Sequence, residues 1–185
     1  MAVFEIVKYP APLLKKKALP VDTVDDEIRQ LIKDMTDTMY FAKGIGLAAN
    51  QIGVDKRVII MDVPDKDNRE GYEKGKNLIA VINPEILEQD GKIEYEEGCL
   101  SIPGFTALVK RFEMITVKGI DRDGKEIVLK AEGLFAITLQ HEIDHLNGIL
   151  FIDRLSSLKR EFIKKKILKA LADETHKGQT QTKGL

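Results

Sequence analysis

Cysteine, tryptophan and proline are all scarce in this chain of 185 residues: one Cys, no Trp and six Pro. The lone Cys99 rules out an intramolecular disulfide and agrees with a reducing compartment. No apolar run approaches the roughly 20 residues needed to span a bilayer. The start, MAVFEIVKYPAPLLKKK, lacks the order of a secretory signal, because its positive charges follow the short apolar stretch. It is also too short and too Ser-poor for an organelle transit peptide. Neither sign of charge is in excess: 29 Lys and Arg stand against 30 Asp and Glu. General or sequence-specific nucleic-acid binding therefore has no electrostatic basis. What is left is a cytoplasmic globular chain with no membrane partner, 43% hydrophobic and 32% charged. Its length suits one domain with a sizeable core.

Helical spacing is clear in two places. Ile28, Leu31, Met35, Met39 and Ala42 put one apolar face on a helix over 25–42, with Asp25, Asp26 and Glu27 suited to its N-terminal dipole. Leu158, Phe162, Ile163, Ile167 and Leu171 predict a second such stripe over 157–172. Between them, Arg57–Val63 and Leu78–Ile82 read as strands, the latter closed by Asn83-Pro84. Residues 64–77 read as an exposed loop. Met114–Asp121 and Glu126–Lys130 read as a hairpin turned at Asp123-Gly124. A further helix is expected from Glu132-Gly133 to about Asn147, stopped by Gly148. The polar stretch 176–185 reads as a disordered tail after one domain over 1–175. The fold expected is α+β, with antiparallel β-sheets around a central metal-binding helix and with N-terminal and C-terminal helices.

That central helix carries His141-Glu142-Ile143-Asp144-His145. Residues at i and i+4 share a helical face, with Cβ atoms about 5–6 Å apart, so both imidazoles can reach one divalent cation. Glu142 lies where it can take a proton from a water on that cation. A helical His pair is, in isolation, often only a satisfied polar pair of the core. A catalytic tetrahedral site needs a third protein ligand. The histidine expected three residues after the glycine of a His-Glu-x-x-His-x-x-Gly pattern is absent, since Phe151 stands there. Glu161 on the last helix is one candidate, although a solvated Glu is the plainer reading of it. Cys99, in Glu97-Gly98-Cys99-Leu100-Ser101, is another, because thiolate binds zinc or ferrous iron well. His176 receives no role.

Three segments together resemble the peptide deformylase family: Gly44-Ile45-Gly46-Leu47-Ala48-Ala49-Asn50-Gln51, Glu97-Gly98-Cys99-Leu100-Ser101 and Gln140-His141-Glu142-Ile143-Asp144-His145. They stand in the family's order and spacing, and the likeness runs from Tyr9-Pro10 to the C-terminal helix. The bacterial type 1 group is the most similar. The resemblance implies that Cys99, His141 and His145 bind the metal and leave a fourth position for water. It implies ferrous iron in cells, with zinc, nickel or cobalt tolerated. It makes Glu142 the general base and then the general acid. Gln51 and the backbone N–H of Leu100 become an oxyanion hole. It places the extended peptide along Gly44, Ile45 and Gly46, and its first side chain in an apolar pocket with Ile45, Leu100, Leu134 and Ile137. The implied substrates are N-formylmethionyl nascent peptides, and the products formate and a free amine. Tyr95 is a weaker candidate for the pocket wall. Thr106 departs from the pattern, because some bacterial members carry an arginine there. Glu97 and Arg111 either pair to shape the Cys99 loop or are plain surface charges. Lys164, Lys165 and Lys166 read as a solvated face, or as ribosome contact through the C-terminal helix.

Overall fold

A computed structural model describes residues 2–64 and 72–181. The elements, in order, are α1 (Asp26–Phe41), β1 (Gly46–Ala48), β2 (Val58–Asp62), β3 (Leu78–Asp90), β4 (Ile93–Cys99), β5 (Ile102–Arg111), β6 (Met114–Ile120), β7 (Glu126–Glu132), α2 (Gly133–Leu146) and α3 (Ser157–Gln181). Five strands form one antiparallel sheet in the order β1-β2-β3-β6-β7, and β4 pairs with β5 as a separate ribbon. The architecture is the α+β arrangement expected, with α2 at its centre.

The run Val58-Ile59-Ile60-Met61 is apolar without alternation because the sheet is covered on both faces. Ile59 and Met61 join Val81, Val117, Leu139 and Ile143 under α2. Val58 and Ile60 join Met35, Met39, Ala80 and Ile82 under α1. Helix α1 starts where the sequence places it: Asp25 caps it, accepting from the Ile28 N–H at 3.0 Å. The expected hairpin is β6–β7, with Gly124 at φ 82° in its turn. Helix α2 spans nearly the predicted residues.

Three expectations are corrected. β3 does not stop at Asn83-Pro84 but continues to Asp90. Its register with β6 shifts between Ile82 and Glu85, so proline falls in an irregularity rather than at an end. Asn83 takes φ 51° there, and its side chain bonds both the N–H and the C=O of Val21. β4 and β5 form a hairpin that periodicity did not single out. Helix α3 continues past Ala172 to Gln181, into the stretch read as a disordered tail; 182–185 lie outside the described residues. Its apolar stripe is also narrower than predicted. Ile163, Ile167 and Leu171 pack on Phe151 and Val109, whereas Leu158 and Phe162 are 82% and 58% exposed. The loop expected over 64–77 lies partly outside the described residues.

Candidate metal centre and active site

Every position of α2 around the motif has a different neighbour. Ala136, Leu139, Ile143 and Leu146, at steps of three and four, face the five-stranded sheet. Gln140 spans the β5–β6 connection: its amide donates to the Phe112 C=O at 2.8 Å and accepts from the Phe112 N–H at 3.0 Å. Asp144 is buried against two arginines, Arg111 at 2.5 Å and Arg154 at 2.5 Å. His141 and His145 are left on the remaining face, with ring centroids 5.0 Å apart.

The β4–β5 ribbon brings Cys99 to that face. Cys99 Sγ lies 3.1 Å from His145 Nε2, and the Ser101 N–H points at the sulfur at 3.4 Å. One ligand atom from each of Cys99, His141 and His145 falls within 4.8 Å of the others, the one such group among the described residues. A thiolate with two imidazoles suits zinc, ferrous iron and their neighbours. Glu161, the rival third ligand, is exposed on α3 beside Lys164.

Glu97 and Arg111 are not surface charges. Both are almost wholly buried, and they form a two-pronged pair at 2.6 and 2.9 Å. Glu97 Oε2 also meets His141 Nδ1 at 2.8 Å. Burial alone would raise the Glu97 carboxyl, but hydrogen bonds from Arg111 and His141 overcome it and hold it at about 2. The ionised carboxylate can only accept, so His141 Nδ1 carries the proton and Nε2 is the nitrogen free for a cation.

Glu142 turns the other way, toward β1. A Cβ on Gly46 would stand 2.5 Å from Glu142 Oε1, so only glycine admits the carboxylate this close. Glu142 Oε2 is buried with no hydrogen-bond partner among the described residues. Burial pushes this carboxyl up to about 7. An unsatisfied buried acceptor beside a candidate metal is where a water would be held.

Gln51 is oriented by its own loop. Its Oε1 accepts from the Ala48 N–H at 2.9 Å, which turns Nε2 toward Ser101 Oγ at 3.1 Å and Cys99 Sγ at 3.6 Å. Asn50 ties the same turn to the C=O of His145. Just before β1, the Ile45 C=O accepts from the Asp62 N–H, and Gly46, Leu47 and Ala48 pair with β2. Antiparallel bonds alternate, so the N–H and C=O of Gly46 face outward. They face a cavity of about 480 Å³. Its walls include Gly44, Ile45, Leu100, Leu134 and Ile137, and Tyr95 also contributes. All of the sequence-predicted site residues thus meet at this cavity or at the cluster beneath it.

A model of the family described as polypeptide deformylase matches residues 3–161. The chain belongs to the peptide deformylase family. A deformylase of Thermodesulfovibrio yellowstonii is 53% identical over 166 residues, 90% of this chain and 97% of that protein. One from Syntrophobacter fumaroxidans is 47% identical over 95% of this chain and 99% of its own length. The crystal structure of a Legionella pneumophila deformylase superposes with a TM-score of 0.84 at 46% identity, covering 94% of this chain and 98% of that one. An Ehrlichia chaffeensis deformylase, solved in complex with actinonin, gives a TM-score of 0.83 at 43% identity, covering 92% and 98%.

Sequence reasoning missed Gln140, Asp144, Ser101 and Arg154. Gln140 and Asp144 had a signal, since they stand i and i+4 on a face that neither the sheet nor the metal uses. Among the described residues no helix is long and apolar enough to cross a membrane.

Proposed function

We propose that this chain hydrolyses the formamide of N-formylmethionyl nascent peptides, releasing formate and a free α-amine. The observation that carries the reading is the junction of three elements. A Cys99–His141–His145 cluster, a buried unsatisfied Glu142 and an outward-facing strand edge at Gly46 all meet at one cavity.

The peptide would lie along Gly44, Ile45 and Gly46, adding a strand to the sheet edge at β1. Its first side chain would enter the apolar walls of Ile45, Leu100, Leu134 and Ile137, which suit an unbranched, adaptable methionine. Cys99, His141 and His145 would hold one divalent cation, which lowers the pKa of a water and polarises the formyl oxygen. Glu142 takes a proton from the attacking water and delivers it to the leaving amine. The Gln51 amide and the Leu100 N–H donate to the oxygen on which negative charge develops. Gln51 is prepared for this, because Ala48 already occupies its acceptor and only the NH₂ end faces the thiol.

Ferrous iron is the proposed native metal, with zinc, nickel or cobalt able to replace it, because thiolate and imidazole accept all four. The proposed location is the cytoplasm, where Cys99 stays reduced. Residues 1–175 form the proposed catalytic domain. Of Lys164, Lys165 and Lys166, the last two are exposed on α3 and support contact with the ribosome, whose surface is anionic RNA.

The test is formate release from a formyl-Met peptide by anaerobically prepared, iron-loaded protein, with Glu142→Ala alongside. Release by the wild type that is lost in the variant, with metal still bound, is the expected result. No release from folded, metal-loaded protein would overturn the reading.

A further inference from the structure

The mouth of the cavity carries a cation that the chemistry above does not use. Lys43 lies on the cavity wall immediately before Gly44. Its backbone is left-handed, at φ 58°, and its N–H is fixed by the Tyr40 C=O at 3.1 Å. That conformation disfavours lysine relative to Gly or Asn. The Lys43 side chain is exposed and makes no ion pair or hydrogen bond among the described residues.

Its position relative to the reacting centre follows from β1. Gly46 is the residue against Glu142, so the reacting end of the substrate lies there. A peptide pairing antiparallel to β1 would then run from Gly46 back toward Gly44. With the formylated residue opposite Gly46, the third residue stands opposite Gly44 and beside Lys43. Successive strand residues advance about 3.4 Å, so that third residue is within reach of a lysine side chain. Glu96, across the cavity on β4, is already engaged by the Thr106 hydroxyl at 3.1 Å.

We propose that Lys43 is a specificity-determining residue that favours substrates with an acidic side chain at the third position and disfavours basic ones. This rests on the deformylase reading given above. An exposed charge pair acts weakly and is screened by salt, so the effect is a selectivity and not a switch.

The experiment compares kcat/KM for formyl-Met-Ala-Xaa-Ser amides with Xaa as Asp, Asn or Lys, using metal-loaded full-length protein. Asp over Lys by about three- to ten-fold at low salt is expected, the sum of one attraction and one repulsion of exposed charges. The ratio should shrink toward unity in about 0.5 M salt. Lys43→Asn should flatten the series, and Lys43→Glu should reverse its order. Equal rates for Asp and Lys in the wild type, or an order unmoved by Lys43→Glu, would overturn the proposal. So would a preference for Lys that disappears in Glu96→Gln, since selectivity would then belong to the opposite wall. Failure of the deformylase reading is distinguishable, because the wild type would then release no formate from the neutral Asn peptide.

Discussion

Glu97 Oε2 is shared between His141 Nδ1 at 2.8 Å and Arg111 Nη2 at 2.9 Å. One carboxylate oxygen thus fixes the tautomer of a candidate metal ligand while a buried guanidinium fixes the carboxylate. Arg111 in turn reaches Asp144, three residues along α2 from His141. Replacing Arg111 with Met leaves the buried Glu97 carboxylate without a guanidinium and Asp144 with Arg154 alone. The expected loss is about 3–5 kcal/mol of stability, read from urea unfolding. Glu97→Gln keeps the side chain's shape but removes the carboxylate that orients His141, and should instead weaken metal binding about 10- to 100-fold, read by competition with a chelator. An unchanged metal affinity in Glu97→Gln would remove Glu97 from the site's support.

Gly46→Ala tests the fit of Glu142 without touching it. The new Cβ would stand 2.5 Å from Glu142 Oε1 and 2.9 Å from Thr138 Cγ2, so the carboxylate must move. A displacement of that order costs roughly 10²-fold in kcat/KM. The circular dichroism spectrum should be unaffected, because Gly46 has an ordinary strand backbone. Full activity in the alanine variant would mean that Glu142 is not the base.

Gln51→Leu removes two functions that separate by measurement. The Ala48 N–H loses its acceptor in a buried turn, at a cost of about 1–3 kcal/mol in unfolding experiments. Loss of the amide donor should lower kcat about 10²- to 10³-fold with little change in KM, since the bond strengthens only as charge develops. A rise in KM at constant kcat would make Gln51 a binding residue only.

Asp62 should impose a pH dependence on the base of the loop after β2. Its carboxylate accepts from the Tyr40 hydroxyl at 2.5 Å, the Gly75 N–H at 2.7 Å and the Asn77 N–H at 3.1 Å. Burial opposes ionisation here, but these bonds outweigh it and hold the group below the usual carboxylate range. A depressed folded-state pKa stabilises the protein above the unfolded value, about 3.9, and that contribution is lost as pH falls below it. The stability gap between wild type and Asp62→Asn should therefore be full near neutrality and narrow below about pH 4. Urea midpoints across that range decide it, and a gap independent of pH would refute the assignment.

The chemistry was more legible in the sequence than the shape. His141, Glu142 and His145 follow from helical spacing, and the hairpin at Asp123-Gly124 follows from its turn residues. Pro84 misled because its missing N–H marks a strand end unless the register slips, and a slip is a property of the partner strand. The β4–β5 ribbon hid because Glu94, Glu96 and Lys110 alternate with residues that bury only once Phe151 and α3 arrive. Burial of Glu97 and Arg111 was undecidable from residue type, since their partners are far along the chain. Leu158 and Phe162 were read into one stripe with Ile167, yet at about 3.6 residues per turn they fall on the opposite side of α3, which faces away from the body.

The ribbon carrying Cys99 is fastened to α2 by contacts of two kinds. One kind, Arg111 to Asp144 and Glu97 to His141, is built from the chain. The other, Cys99 with the two histidines, would be tightened by an ion held between them. Stripping that ion should therefore release a flap on a hinge and leave the body folded: hydrogen exchange would quicken near Cys99 while Arg111 and its neighbours stay protected. The catalytic centre would then be the first part of the molecule to loosen when metal is scarce, and the first to set when metal returns.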